Sequence, residues 1–404
     1  MWDVVIVGGG MVGASLALAL QALDLKIALI EAVAFGSHSQ PAYDDRSVAL
    51  SYGSSRIYQG MGLWSELQAQ VAPIKHIHVS DRGYFGVTRL SAEQEAVPAL
   101  GYVVESRVLG KVLFEALAKS SVQLISPATV YALEQTAEQV IVKLEYQGVA
   151  DQMQTRLLVV ADGAKSPLRE QLGIAVKTQD YQQTAIIANV STDQPVTGVA
   201  YERFTRSGPL ALLPMTQERY SLVWTHKNPE AVASLELTDS AFLQKLQQVF
   251  GYRQGRFIKV GKRSSYPLSL VKSVAEVQGR AVLMGNASHT LHPVAGQGLN
   301  LALRDLATLS DLLASQASIQ GDCGAVELLA AYQAARQADY ARVITYTDSL
   351  VKLFSADFPA LGMVRAGGLL AVDRMAPLRK LLTQQSMGLR FQQPRLARGL
   401  ALKT

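Results

Sequence analysis

The first thirty residues alternate between apolar runs and a glycine turn. Asp3 to Val7 form a continuous, largely β-branched run, as expected of a parallel strand that is covered on both faces. Gly8 to Gly10 interrupt it, and the Ala- and Leu-rich segment Ala14 to Leu20 has strong helix propensity. A second apolar run, Lys26 to Ile30, ends at Glu31. This pattern predicts one β-α-β unit.

Further along, the pattern predicts a helix over Val108 to Ala118 and short strands at Val122 to Ile125, Val140 to Leu144 and Arg156 to Ala161. Residues 184–270 change character, because short β-type runs separated by Gly, Pro and polar clusters predict a mainly antiparallel sheet. This segment reads as an inserted lobe.

The last third of the chain is predicted to be helical. Ala281 to Met284 read as a buried strand, and a glycine-containing loop then precedes a helix over Leu299 to Leu313. From Ala325 onward the pattern is helical, with expected breaks at Pro359, Gly367-Gly368, Pro377 and Pro394. The fold class is therefore α/β with an added helical region.

Composition narrows the function classes. The 404 residues carry a net charge of +5, are 49% apolar and contain one cysteine, Cys323, so no internal disulfide forms and a reducing compartment is expected. The chain shows no Cys/His cluster, and no metal site is expected. The small basic excess favours an ordinary solvated surface over nucleic-acid binding. The apolar content fits an enzyme that binds a hydrophobic ligand or contacts a bilayer, and composition alone does not choose between these two functions.

An uncharged stretch of membrane-span length, Val4 to Leu23, lies near the start. Its three adjacent glycines and the absence of a basic start favour a strand, turn and helix over a spanning helix or signal peptide. We therefore expect a cytoplasmic location.

The spacing Gly8-x-Gly10-x-x-Gly13 between strand and helix is the dinucleotide fingerprint, in which small residues allow a tight turn and close approach of a pyrophosphate to the helix N-terminus. Glu31 follows the second strand, where a carboxylate can accept hydrogen bonds from ribose hydroxyls. An ordinary glycine turn is the alternative. These residues leave FAD and NAD both open.

Three later segments carry a resemblance to a known family: Asp45 to Leu50, Val159 to Arg169, and Gly285 to Asn300 with its His292-Pro293-Val294-Ala295-Gly296-Gln297-Gly298-x-Asn300 run. With the fingerprint they resemble the group A flavoprotein aromatic hydroxylases and, more narrowly, the ubiquinone-biosynthesis hydroxylases. The runs Glu202 to Thr205, Gly208 to Met215, Ser221 to Trp224 and Gly261 to Leu268 strengthen the narrower resemblance as a set.

The resemblance implies a domain organisation: a Rossmann-like FAD-binding domain, an inserted mainly antiparallel β substrate domain and a C-terminal helical region. The FAD-binding domain would comprise residues 1–75, 101–180 and 274–325. The substrate domain would comprise residues 76–100 and 181–273, and the helical region residues 326–404.

It also implies cofactor-binding roles. The adenosine and pyrophosphate would be held by Gly8, Gly10, Gly13 and Glu31, and the flavin side by Arg46 and Arg107. A region near FAD and NAD(P)H would be formed by Asp162 and Gly163, and the ribityl chain would be held by Gly285 and Asn286. The flavin pyrimidine would be held by Gly296, Gln297 and Gly298, in a loop anchored by Asn300. The structural alternatives are a strand-end turn for Asp162-Gly163 and a surface ion pair for Arg46.

Asn286 departs from the family's usual aspartate, although its amide carbonyl can still accept a hydrogen bond. Asn here resembles the subgroup that acts on 2-polyprenyl-6-methoxyphenol. Ala302 also replaces a usual glycine, with little effect expected.

The implied reaction uses NAD(P)H to reduce FAD, activates O₂ as a C4a-hydroperoxyflavin, and hydroxylates a polyprenylated phenol. A base would help by removing the phenol proton. Among the candidates His289, His292, His226, Tyr201 and Tyr220, His292 is the best placed, while a structural role is the alternative for each.

Other functions stay open: hydroxylation of another ring position or substrate, and a non-catalytic FAD-binding scaffold. A flavin-dependent halogenase is disfavoured because Trp2, Trp64 and Trp224 do not form its Trp-x-Trp-x-Ile-Pro run.

Apolar residues in the C-terminal region, Leu350, Val351, Leu353, Phe354, Leu361, Met363 and Val364, alternate with Lys352, Arg365, Arg374, Arg379 and Lys380. Peripheral contact with the inner membrane and packing against the flavin domain or a partner subunit are both compatible with this pattern. Association with other ubiquinone-biosynthesis proteins is a further expectation, and the oligomeric state is open.

Overall fold

The computed structural model describes residues 1–34, 46–292, 296–317, 321–355, 359–391 and 393–402, with only the backbone described at 351, 354–355 and 359–361. Its strands are β1 Trp2–Val7, β2 Ile27–Ile30, β3 Ser47–Ser51, β4 Ala72–Ile74, β5 His76–Asp81, β6 Val87–Ser91, β7 Gly101–Glu105, β8 Gln123–Ile125, β9 Ala128–Gln135, β10 Val140–Tyr146, β11 Val149–Val160, β12 Val176–Thr192, β13 Val199–Thr205, β14 Gly208–Met215, β15 Arg219–Lys227, β16 Phe257–Val260, β17 Ser264–Ser273, β18 Val277–Gln278, β19 Ala281–Leu283 and β20 His289–Thr290.

The helices are α1 Met11–Leu20, α2 Tyr52–Gly60, α3 Trp64–Leu67, α4 Ser106–Ala118, α5 Pro167–Gln171, α6 Asn228–Leu235, α7 Asp239–Phe250, α8 Gln297–Ala317, α9 Val326–Ser355, α10 Pro359–Arg374 and α11 Ala376–Ser386. Short 3₁₀ turns lie at Gln68–Gln70, Glu93–Glu95, Gly285–Ala287 and Leu396–Arg398.

The first sheet is parallel along its centre, in the order β18-β19-β11-β1-β2-β8, with β9 and β10 added to β11 as an antiparallel extension. Val4 and Ile6 of β1 pack into one hydrophobic cluster, and Val5 and Val7 pack into a second cluster on the other face. Successive strand residues point to opposite faces, so both faces of β1 are covered. The prediction of a doubly covered strand is confirmed.

The second sheet has the order β20-β17-β12-β15-β14-β13-β5-β6, with β16 paired to β12. Its pairs are antiparallel except β13 with β5, which run parallel. Phe242, Leu246 and Phe250 of α7 pack on one face of this sheet. The prediction of an antiparallel sheet over residues 184–270 is confirmed, but it missed α6 and α7, which lie between β15 and β16.

We propose the same division into domains that the resemblance implies. Strands β5 and β6, from residues 76–100, share the second sheet with the strands of residues 181–273. In contrast, residues of α1, α4 and α8 pack in one hydrophobic core with the strands of the parallel sheet.

The C-terminal region is helical, with one departure from the sequence analysis. Gly367 and Gly368 do not break α10, which runs through both. Glycine costs a helix about 1 kcal/mol relative to alanine but leaves its hydrogen bonds intact, so it is tolerated where flanking residues favour the helix. Pro359 and Pro377 lie at the starts of α10 and α11, where the missing N–H has no partner to lose.

In the part of the chain that the structure describes, no helix combines the length and the apolar character needed to cross a bilayer.

Candidate active site

A cavity of about 700 Å³ opens where four parallel strands end. β1, β2, β11 and β19 lead directly into the segments that line it. In open α/β sheets the carboxyl ends of the strands are the usual place for a ligand. This cavity is lined by nine of the site residues predicted from the sequence: Gly8, Gly10, Glu31, Arg46, Asp162, Gly163, Gly285, Asn286 and Gly298.

The three fingerprint glycines have different steric surroundings. Gly8 has φ +107°, and a Cβ there would lie 2.3 Å from the carbonyl oxygen of Ala161. A Cβ on Gly13 would lie 1.9 Å from the carbonyl oxygen of Gly8, so the helix packs directly on the turn. A Cβ on Gly10 would meet nothing within 4 Å. Gly10 therefore leaves open space beside the N-terminus of α1, where a pyrophosphate can approach the backbone.

Glu31 closes this end of the cavity. Its Oε2 accepts a hydrogen bond from the amide of Gly9 at 2.6 Å, and its Oε1 accepts one from the amide of Val33 at 2.9 Å. A carboxylate has about four acceptor sites, so these two bonds fix its orientation and leave capacity for ribose hydroxyls.

Arg46 and Arg107 lie in different surroundings. Arg46 lines the cavity, and its guanidinium stands 5.0 Å from the ring centre of Tyr266 on β17. Arg107 is not among the lining residues, and its Nε donates to Glu105 at 2.5 Å. Burial alone would raise the pKa of Glu105, but hydrogen bonds and charge from Arg107 and Arg219 lower it. The structure thus places Ser106, rather than Arg107, at the cavity wall.

Asp162 and Gly163 follow β11 and line the same cavity. Burial raises the pKa of Asp162, and hydrogen bonds from Ser166 and Leu168 offset part of that effect. The Oδ1 atom of Asp162 is buried and accepts no hydrogen bond within the described residues. An unsatisfied buried acceptor beside open space suits a ligand that carries donors. Gly163 has φ +95° and open space at its Cβ position.

Gly285 and Asn286 form a 3₁₀ turn after β19. Gly285 has φ +62°, and its Cβ position lies 3.1 Å from Val12 on α1. Asn286 is exposed at the cavity, where its amide can both donate and accept.

The N-terminus of α8 forms the remaining wall. Gly296 has φ +59°, and Gly298 lines the cavity with nothing within 4 Å of its Cβ position. The buried side chain of Asn300 accepts hydrogen bonds from the amide of Ser51 at 2.8 Å and the hydroxyl of Ser54 at 2.7 Å. Its Nδ2 donates to the carbonyl oxygens of Ala49 and Gly296. Asn300 thereby ties the start of α8 to β3.

Four of the predicted site residues are not among the lining residues of the cavity: Gly13, Gly296, Gln297 and Asn300. Pro293 to Ala295, part of the motif that carries the resemblance, lie outside the described residues.

His292 is 1% exposed and is not among the lining residues of the cavity. Its ring meets the ring of Tyr181 edge-on, with centroids 5.3 Å apart. Burial lowers the pKa of His292 to about 4, so the ring is neutral at pH 7 and a weak base. Its catalytic role stays a prediction.

Three of the other candidate bases have structural surroundings. Tyr201 donates to Gln254, which in turn donates to Tyr220, and both tyrosines belong to the core below α7. The ring of His226 lies tilted against that of Trp224 with centroids 4.4 Å apart, and burial lowers its pKa to about 4.

These observations fit FAD. The cavity has glycine backbone at three of its walls, an acidic residue at the end of β2 and a helix N-terminus at the opposite wall. The sequence analysis missed Ser106, which lines the cavity after β7, and Tyr266 of β17, which contacts the cavity residue Arg46, because their proximity depends on the tertiary fold. The start of α4 directly after a strand was the available signal for Ser106.

Comparison with known proteins gives the same picture. Residues 1–347 match the FAD binding domain family. The chain is 37% identical over 404 residues to the ubiquinone hydroxylase UbiL of Rhodospirillum rubrum, covering 99% of this chain and 93% of that protein. It is 32% identical over 393 residues to the 3-demethoxyubiquinol 3-hydroxylase of Escherichia coli, covering 96% of this chain and 98% of that protein.

Among solved structures, the p-nitrophenol 4-monooxygenase PnpA of Pseudomonas putida superposes with a TM-score of 0.80 at 15% identity, covering 97% of this chain and 99% of that one. PqsL of Pseudomonas aeruginosa superposes with a TM-score of 0.75 at 21% identity, covering 91% and 98%. These likenesses concern the fold, and they confirm the predicted mixed α/β architecture.

Proposed function

The chain belongs to the FAD binding domain family and is a FAD-dependent hydroxylase of the ubiquinone-biosynthesis type, and we propose that its substrate is a polyprenylated phenol, 2-polyprenyl-6-methoxyphenol. The observation that supports the FAD-dependent chemistry is the cavity at the ends of β1, β2, β11 and β19, whose walls fit a dinucleotide flavin. Asn286, in place of the usual aspartate, supports the choice of substrate through the resemblance to one subgroup.

When bound, FAD supplies what no side chain can: acceptance of a hydride from NAD(P)H and activation of O₂ for transfer of one oxygen atom to an electron-rich ring. The residues of this chain bind and orient it. We assign the pyrophosphate to Gly8, Gly10, Gly13 and the N-terminus of α1, the ribose to Glu31, and the ribityl chain to Gly285 and Asn286.

The flavin ring end is assigned to the opposite wall. The amides of Gln297 and Gly298 begin α8, and a helix N-terminus stabilises negative charge placed before it. Arg46 adds a cation at this wall, and Asp162 with Gly163 borders the region between the two ends. Asn300 holds the loop in place through its four hydrogen bonds.

A different ring position is the main competing function, because the relative from Escherichia coli is named for hydroxylation at position 3 of demethoxyubiquinol. A non-catalytic FAD-binding scaffold is the second. The cavity walls serve FAD in all three cases, so a measurement of the product has to separate them.

The test is to incubate the FAD-loaded protein with NAD(P)H, O₂ and a short-tailed 2-prenyl-6-methoxyphenol, and to determine the mass and regiochemistry of the product. The proposal requires a product heavier by one oxygen atom and NAD(P)H oxidation that the phenol stimulates. A yellow complex that oxidises no NAD(P)H in the presence of the phenol supports the scaffold. Turnover of demethoxyubiquinol in preference to the methoxyphenol supports the other ring position.

We further propose that the C-terminal helices contact a membrane surface peripherally, close to other ubiquinone-biosynthesis proteins. Met363 and Val364 of α10 are 66% and 69% exposed, and Arg374 and Lys380 are exposed nearby in the chain. Arg365 does not belong to this surface, because it pairs with Asp81 in a buried contact. The side chains of Val351, Phe354 and Leu361 lie outside the described residues.

A further inference from the structure

On the face of the second sheet that points away from α7, Glu202 has a carboxylate oxygen without a hydrogen-bond partner among the described residues. Tyr201, Leu212 and Trp224 belong to the cluster that packs on α7. Glu202 is the next residue after Tyr201 in β13, so its side chain points to the opposite face, where its partner in register is Ala211 of β14. Glu202 belongs to the Glu202 to Thr205 motif, to which the proposed function assigns no role.

Helix α9 covers this face of the sheet. Tyr346 of α9 lies close enough to Glu202 for the carboxylate charge to contribute to raising the pKa of its phenol, after burial as the main cause. Two residues further along β13, Phe204 packs against Leu350 of α9 and against Tyr181. Tyr181 in turn contacts the ring of His292. Glu202 and Phe204 therefore face α9 on the side of the sheet where His292 lies, and His292 is the last described residue before Gly296.

The position of Glu202 relative to the flavin wall follows from α9. Val343 and Ile344 of α9 pack with Leu291 and Leu301, which flank the loop before α8. Tyr346 is three residues after Val343, a rise of about 4.5 Å along the helix axis. Glu202 therefore faces α9 about one turn from the point where α9 contacts Leu291, which precedes α8, and Leu301, which lies in its first turns.

The carboxyl group of Glu202 has one oxygen without a hydrogen-bond partner among the described residues. Its Oε1 is buried and accepts no hydrogen bond from the described residues, although the side chain as a whole is only half-buried. Burial raises the pKa of Glu202 to about 7. A buried acceptor without a donor is costly, and proteins keep such groups mainly where a ligand supplies the donor.

Two nearby carboxylates among the described residues are paired. Asp348 of α9 accepts from the hydroxyl of Tyr181 at 3.2 Å and pairs with Lys352 at 2.6 Å. Asp81 of β5 pairs with Arg365 of α10 at 2.8 Å. Ala211 from β14 and Val79 from β5, the partners of Glu202 in register, carry no charge.

We propose that Glu202 is the catalytic base that accepts the hydrogen bond, and then the proton, of the substrate's phenol. This rests on the proposed function for the identity of the phenol. The proton moves from the phenol oxygen to the carboxylate, and the electron pair of the broken O–H bond stays on the oxygen and delocalises into the ring. The ring carbon that receives oxygen then loses its hydrogen to solvent, and Glu202 returns its proton to the phenol oxygen.

The first experiment measures binding to the oxidised, FAD-loaded protein, without turnover. The probe is 2-prenyl-6-methoxyphenol, followed by its perturbation of the flavin absorption between pH 5 and pH 9. Because an ionised carboxylate accepts a stronger hydrogen bond than a neutral acid, the wild type is expected to bind the phenol roughly tenfold more tightly above pH 7 than below it. Glu202→Gln is expected to bind with no such transition.

The second experiment compares hydroxylation of two phenols of different acidity. Glu202→Gln is expected to lose about 100-fold in kcat on the methoxyphenol, within the usual contribution of a general base, and to recover most of that rate on a ring-fluorinated analogue that ionises near pH 7. Glu202→Asp keeps a carboxylate and is expected to be intermediate. Glu230→Gln, an exposed carboxylate on α6, is the matched control and is expected to behave as the wild type.

The outcomes separate the two proposals. If the wild type forms no hydroxylated product but still shows the binding transition that depends on Glu202, the proposed function fails and the binding role of Glu202 stands. If the wild type hydroxylates the phenol and Glu202→Gln matches it in binding and in kcat, Glu202 is not the base. An equal loss on both phenols, with normal FAD absorption, would also overturn the assignment, because it indicates a merely structural role.

Discussion

The amide of Ser51 donates a 2.8 Å hydrogen bond to Oδ1 of Asn300, joining the end of β3 to the first turn of α8 across 249 residues of sequence. The same side chain accepts from Ser54 and donates to two backbone carbonyls, so it uses all the hydrogen bonds that an amide side chain can make. The start of α8, and with it the proposed flavin wall, is positioned by this one residue.

Asn300→Ala is therefore expected to destabilise the protein by about 2–4 kcal/mol, because it leaves several buried donors and acceptors without partners. FAD affinity is expected to fall by at least tenfold, since the amides of Gln297 and Gly298 lose their fixed position. Urea unfolding and quenching of flavin fluorescence on binding measure the two effects. Asn228→Ala removes an exposed amide that bonds only Thr184 among the described contacts, and is the control. Unchanged FAD affinity in Asn300→Ala would show that the loop needs no such anchor.

Substitutions at two of the fingerprint glycines are expected to affect FAD binding and folding separately. Gly10 has φ −64°, which any residue adopts, and a Cβ there meets nothing within 4 Å. Gly10→Ala is expected to fold with wild-type stability but to bind FAD at least tenfold more weakly, because the methyl group occupies the approach to the α1 N-terminus. Gly13→Ala is expected to fold poorly, since its Cβ would lie 1.9 Å from a carbonyl oxygen.

Isothermal titration of the apoprotein with FAD, together with thermal unfolding, tests this pair. Gly367→Ala in α10 serves as the control, because its Cβ position is also open and the residue is not among those that line the cavity. It is expected to raise stability by about 0.5–1 kcal/mol without any effect on FAD binding. Gly10→Ala with unchanged FAD affinity would contradict the assignment of the pyrophosphate to this turn.

The sequence predicted that Gly8, Gly10 and Glu31 line one cavity, because the determinants of this part of the wall are local. The turn of Gly8 to Gly13 and the carboxylate of Glu31 follow from a strand, a turn and a helix contiguous in the chain. Two residues were missed because they come near the glycine turn only through the tertiary fold: Ser106, which lines the cavity, and Tyr266, which contacts Arg46. Glu202 is a further case: the motif was visible in the sequence, but its lack of a partner depends on how α9 covers the sheet.

The same reasoning explains the errors in secondary structure. Helices α6 and α7 sit inside a β-rich segment, and the period-two runs on either side dominated the pattern. The break expected at Gly367-Gly368 assumed that the low helix propensity of glycine determines where the helix ends. In the structure, the packing of α10 on β6 maintains the helix. That packing is close, since a Cβ on Gly86 would lie 2.3 Å from the carbonyl oxygen of Ala366.

A buried ion network joins α8 to α9. Arg336, 1% exposed, pairs with Asp305 and with Asp339 at 2.7 Å each, and Arg304 pairs with Asp339 at 2.8 Å. Arg336→Met is expected to destabilise the protein by about 3–5 kcal/mol, because it leaves Asp305 buried without its cation. The midpoint of urea unfolding measures this. Lys111→Met, which removes an exposed pair with Glu115, is expected to change stability by less than about 0.5 kcal/mol. A similarly small change in Arg336→Met would mean that the network contributes little.

Glu202 should also make stability depend on pH. Burial raises its pKa in the folded protein from 4.5 to about 7, so between these values the unfolded chain loses the proton while the folded protein keeps it. Stability is therefore lost as the pH rises through this window. Glu202→Gln is expected to match the wild type at pH 4 and to be more stable by roughly 1 kcal/mol at pH 8, a figure reduced because the side chain is only half-buried. Urea unfolding at both pH values tests this, and an equal difference at pH 4 and pH 8 would contradict it.

The membrane proposal predicts a contact that depends on both apolar side chains and charge. Vesicles with anionic headgroups are expected to sediment the wild type at low salt, whereas neutral vesicles are expected to retain several-fold less. Met363→Ser with Val364→Ser should lower binding to both kinds of vesicle, because these exposed side chains would enter the interface. Val326→Ser alters a residue that is 73% exposed at the start of α9 and is expected to have no effect. If the double variant sediments as the wild type does, the contact does not involve α10.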